Sequence, residues 1–115
     1  MRSCGNPAIK RGTTPAIQIH LDGVDAADIA SVTFLFKAAE LESASVLVKK
    51  TVEKPESNPI EIVFTQEETY RLPTLGVWMD TRIRLNSGKI PLAELVKLDI
   101  GKTLFSQDEE DNGSD

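Results

Sequence analysis

In VWMDTRIRL, residues 77–85, an indole, a carboxylate and two guanidinium groups fall on alternate positions: Trp78, Asp80, Arg82 and Arg84. In an extended chain that spacing sets all four on one side. The chemistry open to them is recognition. Trp and Arg are favoured anchors of protein interfaces, and an indole on an otherwise polar face points to a contact surface. The competing reading is a solvated sheet face whose charges form cross-strand ion pairs; residue types alone leave both open.

Other reactive groups do not assemble into a constellation. Glu67 and Glu68 are neighbouring carboxylates, the residue type used in glycoside hydrolysis, but adjacent residues on a helical turn diverge. His20 is the single histidine and falls on the outward side of a strand-like run, where a surface imidazole is the default. Cys4 is the single cysteine, which excludes an intrachain disulfide and a Cys-rich zinc site; an inert thiol suits a reducing cytosol. Nucleotide loops, nucleophile elbows and metalloprotease helices have no counterpart in the chain. No catalytic residue, metal ligand or cofactor is assigned, and the chain reads as a non-enzyme.

Holding those four residues on one face requires a sheet, and the chain is patterned for one. Ile17, Ile19 and Leu21 alternate with Gln18, His20 and Asp22; Val32, Phe34 and Phe36 alternate with Thr33, Leu35 and Lys37. VLVKKTVE (46–53) and IEIVF (60–64, with Ile60, Ile62 and Phe64 inward) read as two further strands. The longest alternation sets Leu75, Val77, Met79, Thr81, Ile83 and Leu85 opposite Trp78, Asp80, Arg82 and Arg84. Asn86-Ser87-Gly88 is a tight hairpin signal, with a return strand expected to begin over Lys89 to Leu92 and Pro91 marking an edge or kink. Val96, Leu98 and Ile100 are expected inward. Asp25 is expected to cap a helical turn over Ala26 to Ile29, and AAELESAS (38–45) admits either a short helix or a long hairpin connection.

Between two strand-like runs lies VFTQEETYRL, residues 63–72. Thr65 followed three residues later by Glu68 is a capping box, with Phe64 placed to staple the turn and Pro73 to end it. A single capped turn between strands suits a crossover from one sheet to another. The expected fold is therefore all-β: an immunoglobulin-like antiparallel β-sandwich of about seven strands with one short capped helical turn. The expected organisation is an N-terminal arm over 1–15, the sandwich over 16–105 and an acidic tail, disordered by composition, over 106–115.

The net charge of −5 belongs to that tail. Asp108, Glu109, Glu110, Asp111 and Asp115 are five of the 18 acidic residues, and the other 13 match the 13 basic ones. A neutral body without a basic stripe argues against nucleic acid. No apolar run approaches the ~20 residues of a membrane span, and no apolar segment follows the basic residues of MRSCGNPAIKRGTTP, so neither a membrane nor secretory export is expected.

Three stretches together, RGTTPAI (11–17), FTQEETYRL (64–72) and MDTRIRLNSGKI (79–90), resemble small immunoglobulin-like proteins encoded in prophages of Gram-positive bacteria. In that family an RGTTP-like start precedes the first strand, an LTQEET-like turn follows a central strand, and a long D-x-R-I-x-L-x-x-G hairpin comes next. The resemblance implies a phage tail or baseplate module, made in the cytoplasm and then carried in the virion. Its partners would be other phage structural proteins or a second copy of itself. On that reading Arg11, Thr13, Thr14 and Pro15 are either a turn into the first strand or an arm that adds to a neighbour's sheet edge. The alternative from another class is a carbohydrate-binding module that stacks a sugar on Trp78.

Overall fold

The alternation around Phe34 builds the centre of the molecule. In the computed structural model, which describes residues 9–105, β3 (Ile29–Lys37) is flanked on one side by β4 (Val46–Glu53) and on the other by β6 (Val77–Leu85). The antiparallel sheet runs in the order β4-β3-β6-β7, where β7 is Val96–Leu98. Val32, Phe34, Phe36, Val48, Val77, Met79 and Ile83 form its buried side. A second antiparallel pair, β2 (Ala16–Ile19) with β5 (Ile60–Val63), contributes Ile60 and Ile62 to the same core. Phe64 joins the two layers: its ring meets that of Phe36 edge-on, with centroids 5.2 Å apart. The chain is thus an all-β sandwich, and the single α-helix among the described residues, α1 (Gln66–Tyr70), is one short turn.

Several expectations change where a side chain's partner lies far away in sequence. The arm reading fails for residues 9 and 10, which form a strand. β1 (Ile9–Lys10) pairs in parallel with β8 (Ile100–Gly101), and Ile9 is only 2% exposed within the core. Residues 9–15 therefore belong to the sandwich. Cys4 and the acidic tail lie outside the described residues.

Leu75 does not join the inner face of β6; it is 89% exposed. A turn precedes the strand there, with Gly76 N donating to Pro73 O at 3.1 Å. Gly76 adopts φ +104, and a Cβ on it would lie 3.1 Å from Leu98 O, so the strand starts only at Val77.

The hairpin after β6 also differs. Asn86-Ser87-Gly88 does turn, closed by Gly88 N to Leu85 O at 2.8 Å and by Leu85 N to Lys89 O at 2.9 Å. Lys89 to Leu92 then forms no strand; ladder pairing resumes only at Val96, opposite Met79. Pro91 has no N–H to give a ladder. Val96 sits in the inward register but at the edge of the sheet, and it is 41% exposed rather than buried.

Two local devices have partners other than those expected. Asp25 occupies the N-cap position of the 3₁₀ turn Ala26–Asp28, yet its side chain makes no capping bond. Asn86 holds that turn instead, donating from Nδ2 to Ala27 O at 3.0 Å and from its backbone N–H to Asp28 O at 2.8 Å. The fourth helical residue of α1 is the polar Thr69, so Phe64 finds its apolar partner in Phe36. The segment 38–45 forms bends and a turn, not a helix. Its Leu41 stays exposed, so no apolar stripe is buried there to favour a helix.

Candidate interaction surface

The outer face of the four-stranded sheet is set by the inner one. Because Val77, Met79 and Ile83 are drawn into the core, Trp78, Asp80, Arg82 and Arg84 must face away from it. The strand register then fixes their neighbours. Lys97 of β7, Trp78 and Lys37 of β3 form one row. Asp80, Leu35 and Lys49 form the next, and Arg82, Thr33 and Thr51 the third; Arg84, Ser31 and Glu53 complete the face. The structure thus brings all four expected residues together and adds Lys37, Lys49 and Lys97 beside them.

Trp78 is half-buried, because the segment after β3 folds back beside it. Lys37 Nζ donates to Glu42 O at 2.8 Å, tying that segment to the sheet. The result is a cleft of about 190 Å³ walled by Trp78, Asp80, Leu35, Leu41 and Leu95. Lys97 Nζ lies 6.0 Å from the indole centroid, within reach of a cation–π attraction. A second depression of about 280 Å³ adjoins the cleft through Leu35 and Asp80 and extends to Thr33, Lys49 and Arg82.

The charges on this face are not paired. Ion pairs among the described residues are His20 with Asp22, Lys50 with Glu68, and Arg71 with Glu67, and none involves Asp80, Arg82, Arg84, Lys49 or Lys97. The cross-strand pairs of the solvated-face reading are therefore not formed. Lys37, Lys49, Arg82, Arg84 and Lys97 share the face with Asp80 and Glu53, and Glu40 and Glu42 stand at the edge of the cleft. This gathering of unpaired charged side chains is legible only once the register aligns residues from four strands.

The other expected residues converge elsewhere. RGTTP docks on α1 of its own chain. Arg11 Nη2 donates to Tyr70 O at 2.8 Å and its guanidinium lies 5.5 Å from the Tyr70 ring centroid. Gly12 N donates to Thr69 Oγ1 at 3.0 Å, and Gln66 Nε2 donates to Gly12 O at 3.1 Å. The Thr69 hydroxyl proton is shared between Thr13 O at 2.9 Å and Gln66 O at 3.0 Å. Pro15 O accepts from Phe64 N at 2.9 Å, while Thr14 is exposed. The turn reading of this stretch is the one the geometry fits.

Thr65 and Glu68 form the expected capping box, with Glu68 N to Thr65 Oγ1 at 3.1 Å and Thr65 N to Glu68 Oε1 at 2.9 Å. Sequence reasoning missed Lys50. It lies on the core-facing side of β4, 2.7 Å from Glu68 Oε1 and 5.5 Å from the Phe64 ring centroid. Its place on the apolar side of an alternating strand was the available signal. Burial acts to raise the Glu68 pKa, but hydrogen bonds from Lys50 and Thr65 and the Lys50 charge outweigh it and hold the carboxyl below its ordinary value.

His20 and Asp22 form a solvent-exposed pair at 3.2 Å. Among the described residues no three His, Cys, Asp or Glu side chains come together as a metal site, and no helix is long and apolar enough to cross a membrane. Comparison of the chain with protein-family models, with curated proteins and with solved structures finds no match.

Proposed function

We propose that this protein is a non-enzymatic structural or assembly module that works by protein–protein contact through the outer face of the four-stranded sheet. The observation that carries this reading is the continuity of the Trp78 cleft with Lys49 and Arg82, which form no ion pair among the described residues. An aromatic anchor beside desolvatable guanidinium groups is the composition of interface hot spots. The strand order supports an immunoglobulin-like identity for the sandwich. β4-β3-β6-β7 facing β2-β5 is the order in which such folds set strands C′, C, F and G against B and E. With the sequence resemblance, this favours a phage tail or baseplate component, made in the cytoplasm and carried in the virion, whose partner is a second copy or another structural protein.

Light scattering on the purified chain tests the reading. Wild type is expected above monomer mass, and R82E/R84E is expected to return it to monomer with an unchanged melting temperature. A strict monomer that binds an oligosaccharide, and loses it on Trp78→Ala, would replace this reading with the carbohydrate-binding one. The indole is half-buried and has Lys97 Nζ 6.0 Å from its centroid, which weighs against such stacking.

A further inference from the structure

The outer face carries charges of both signs, and their order along the strands matters more than their sum. Its positive groups are Lys37, Lys49, Arg82, Arg84 and Lys97. Its negative ones are Asp80 and Glu53 on the strands and Glu40 and Glu42 at the lip of the Trp78 cleft. The face is thus close to neutral, and its net charge does not set one copy of it against another. The four rows, from Trp78 through Asp80 and Arg82 to Arg84, lie about 7 Å apart. Asp80, Glu40 and Glu42 gather at the Trp78 end, whereas Arg82 and Arg84 hold the other.

Read backwards, these rows complement themselves. A two-fold axis lying between two facing sheets, perpendicular to β6, reverses the rows while keeping each strand over its own copy. With the axis midway between the Asp80 and Arg82 rows, Asp80 of each copy meets Arg82 of the other. Arg84 then meets the Trp78 cleft, with Glu40 and Glu42 at its lip, and Lys37 falls one strand away from Glu53 of the second copy. Lys49 falls opposite Thr51, and Lys97 is left unmatched. An axis along β6 would instead stack Asp80 on Asp80 and Arg82 on Arg82, which like-charge repulsion opposes.

We infer that the outer face binds a second copy of itself, packed antiparallel about this two-fold, with Asp80–Arg82 as its ion pair and Arg84 seated at the Trp78 cleft. In an isologous interface each contact occurs twice, so the pairing is doubled at no further cost in docking. Facing sheets pack about 10 Å apart, a gap that an aspartate and an arginine span together. Asp80, Arg82 and Arg84 are exposed and form no ion pair among the described residues, so docking breaks none. An arginine stem laid over Trp78 and Leu41 buries apolar surface while its guanidinium reaches the carboxylates. The inference rests on the proposed use of this face for protein contact and names its occupant.

Charge exchange tests the pairing. Asp80→Arg and Arg82→Asp are each expected to weaken self-association about tenfold or more, read by sedimentation equilibrium, because each sets two like-charge pairs in the dimer. General charge repulsion predicts the opposite for Asp80→Arg, which makes an acidic chain less acidic. Mixing the two variants is expected to restore a dimer of wild-type affinity, since both Arg–Asp contacts form again across it. D80R/R82D is expected to self-associate like wild type for the same reason, and all melting temperatures are expected to stay unchanged. Trp78 is the only tryptophan in the chain, and its emission is expected to shift with concentration in wild type but in neither single variant. Association that falls in both single variants and is not restored by mixing would overturn the two-fold pairing and leave the contact surface standing. A wild type that stays monomeric at every concentration would overturn the inference and leave the face to a different protein. Association indifferent to every one of these substitutions would remove the face from the contact altogether.

Discussion

The α1 end of the sandwich and the outer face of its larger sheet use similar residues for opposite ends. At α1, Arg11 through its Nη2, and Lys50, Glu68 and Thr69, close on groups of their own chain: a carbonyl, a carboxylate, a capped turn and a backbone N–H; the buried Arg11 Nε is the exception among them, with no hydrogen-bond partner among the described residues. On the sheet face, Arg82, Arg84, Lys49 and Asp80 are just as polar and form no ion pair among the described residues. The difference shows where a charged side chain works for the fold and where it is left for another molecule. A buried polar group must be satisfied internally, whereas an exposed one can remain open at little cost.

Substitutions at the two regions sharpen that contrast. The largest effect is expected from Gly12→Ala. Gly12 has φ +82, and a Cβ there would stand 2.7 Å from Tyr70 Oη. Backbone strain and overpacking together predict a loss of about 3 kcal/mol, read by urea unfolding. Thr69→Val comes next, at about 2 kcal/mol, since it leaves Gly12 N–H and Thr13 O unpaired while preserving side-chain volume.

Glu68→Gln is expected to cost about 1 kcal/mol near neutrality, because the amide still reaches back to the cap but loses the Lys50 charge. Its pH dependence follows from the lowered carboxyl. A group with a depressed folded pKa adds stability that is fully present above its unfolded pKa. That stability is lost as pH falls through the folded value. The gap between wild type and Glu68→Gln should therefore be constant above pH 4.5, the ordinary carboxyl value, and narrow progressively below it. A gap that widens in acid would remove the Lys50–Glu68 link from the account. The smallest effect on stability belongs to R82A/R84A, within about 0.5 kcal/mol in the same unfolding assay; a larger loss would show that these arginines serve the fold after all.

What could be read in advance was local. The capping box joins Thr65 to Glu68 across three positions, and the inward sides of β3, β5 and most of β6 follow from a period of two. The outward placement of Trp78, Asp80, Arg82 and Arg84 is the other half of that period. Harder to foresee were features whose partners are remote. Ile9 becomes core only because Ile100 runs beside it, and Asp25 yields its turn to Asn86, 61 positions away. Leu75 fits the alternation but precedes a glycine turn that packs under β7. RGTTP and TQEETY, two of the stretches behind the family resemblance, turn out to bond to each other. Neither stretch alone discloses that, because each is also sound turn chemistry.

The position of Lys50 has a consequence for aggregation. β4 is the outermost strand of the larger sheet, eight residues long and free of proline, which is the profile of a template for fibril growth. A lysine aimed inward at the middle of such a strand acts as a gatekeeper. An incoming strand stacked alongside would seal the ammonium and its Glu68 counterion away from water. Growth by edge-to-edge stacking is thereby discouraged at β4.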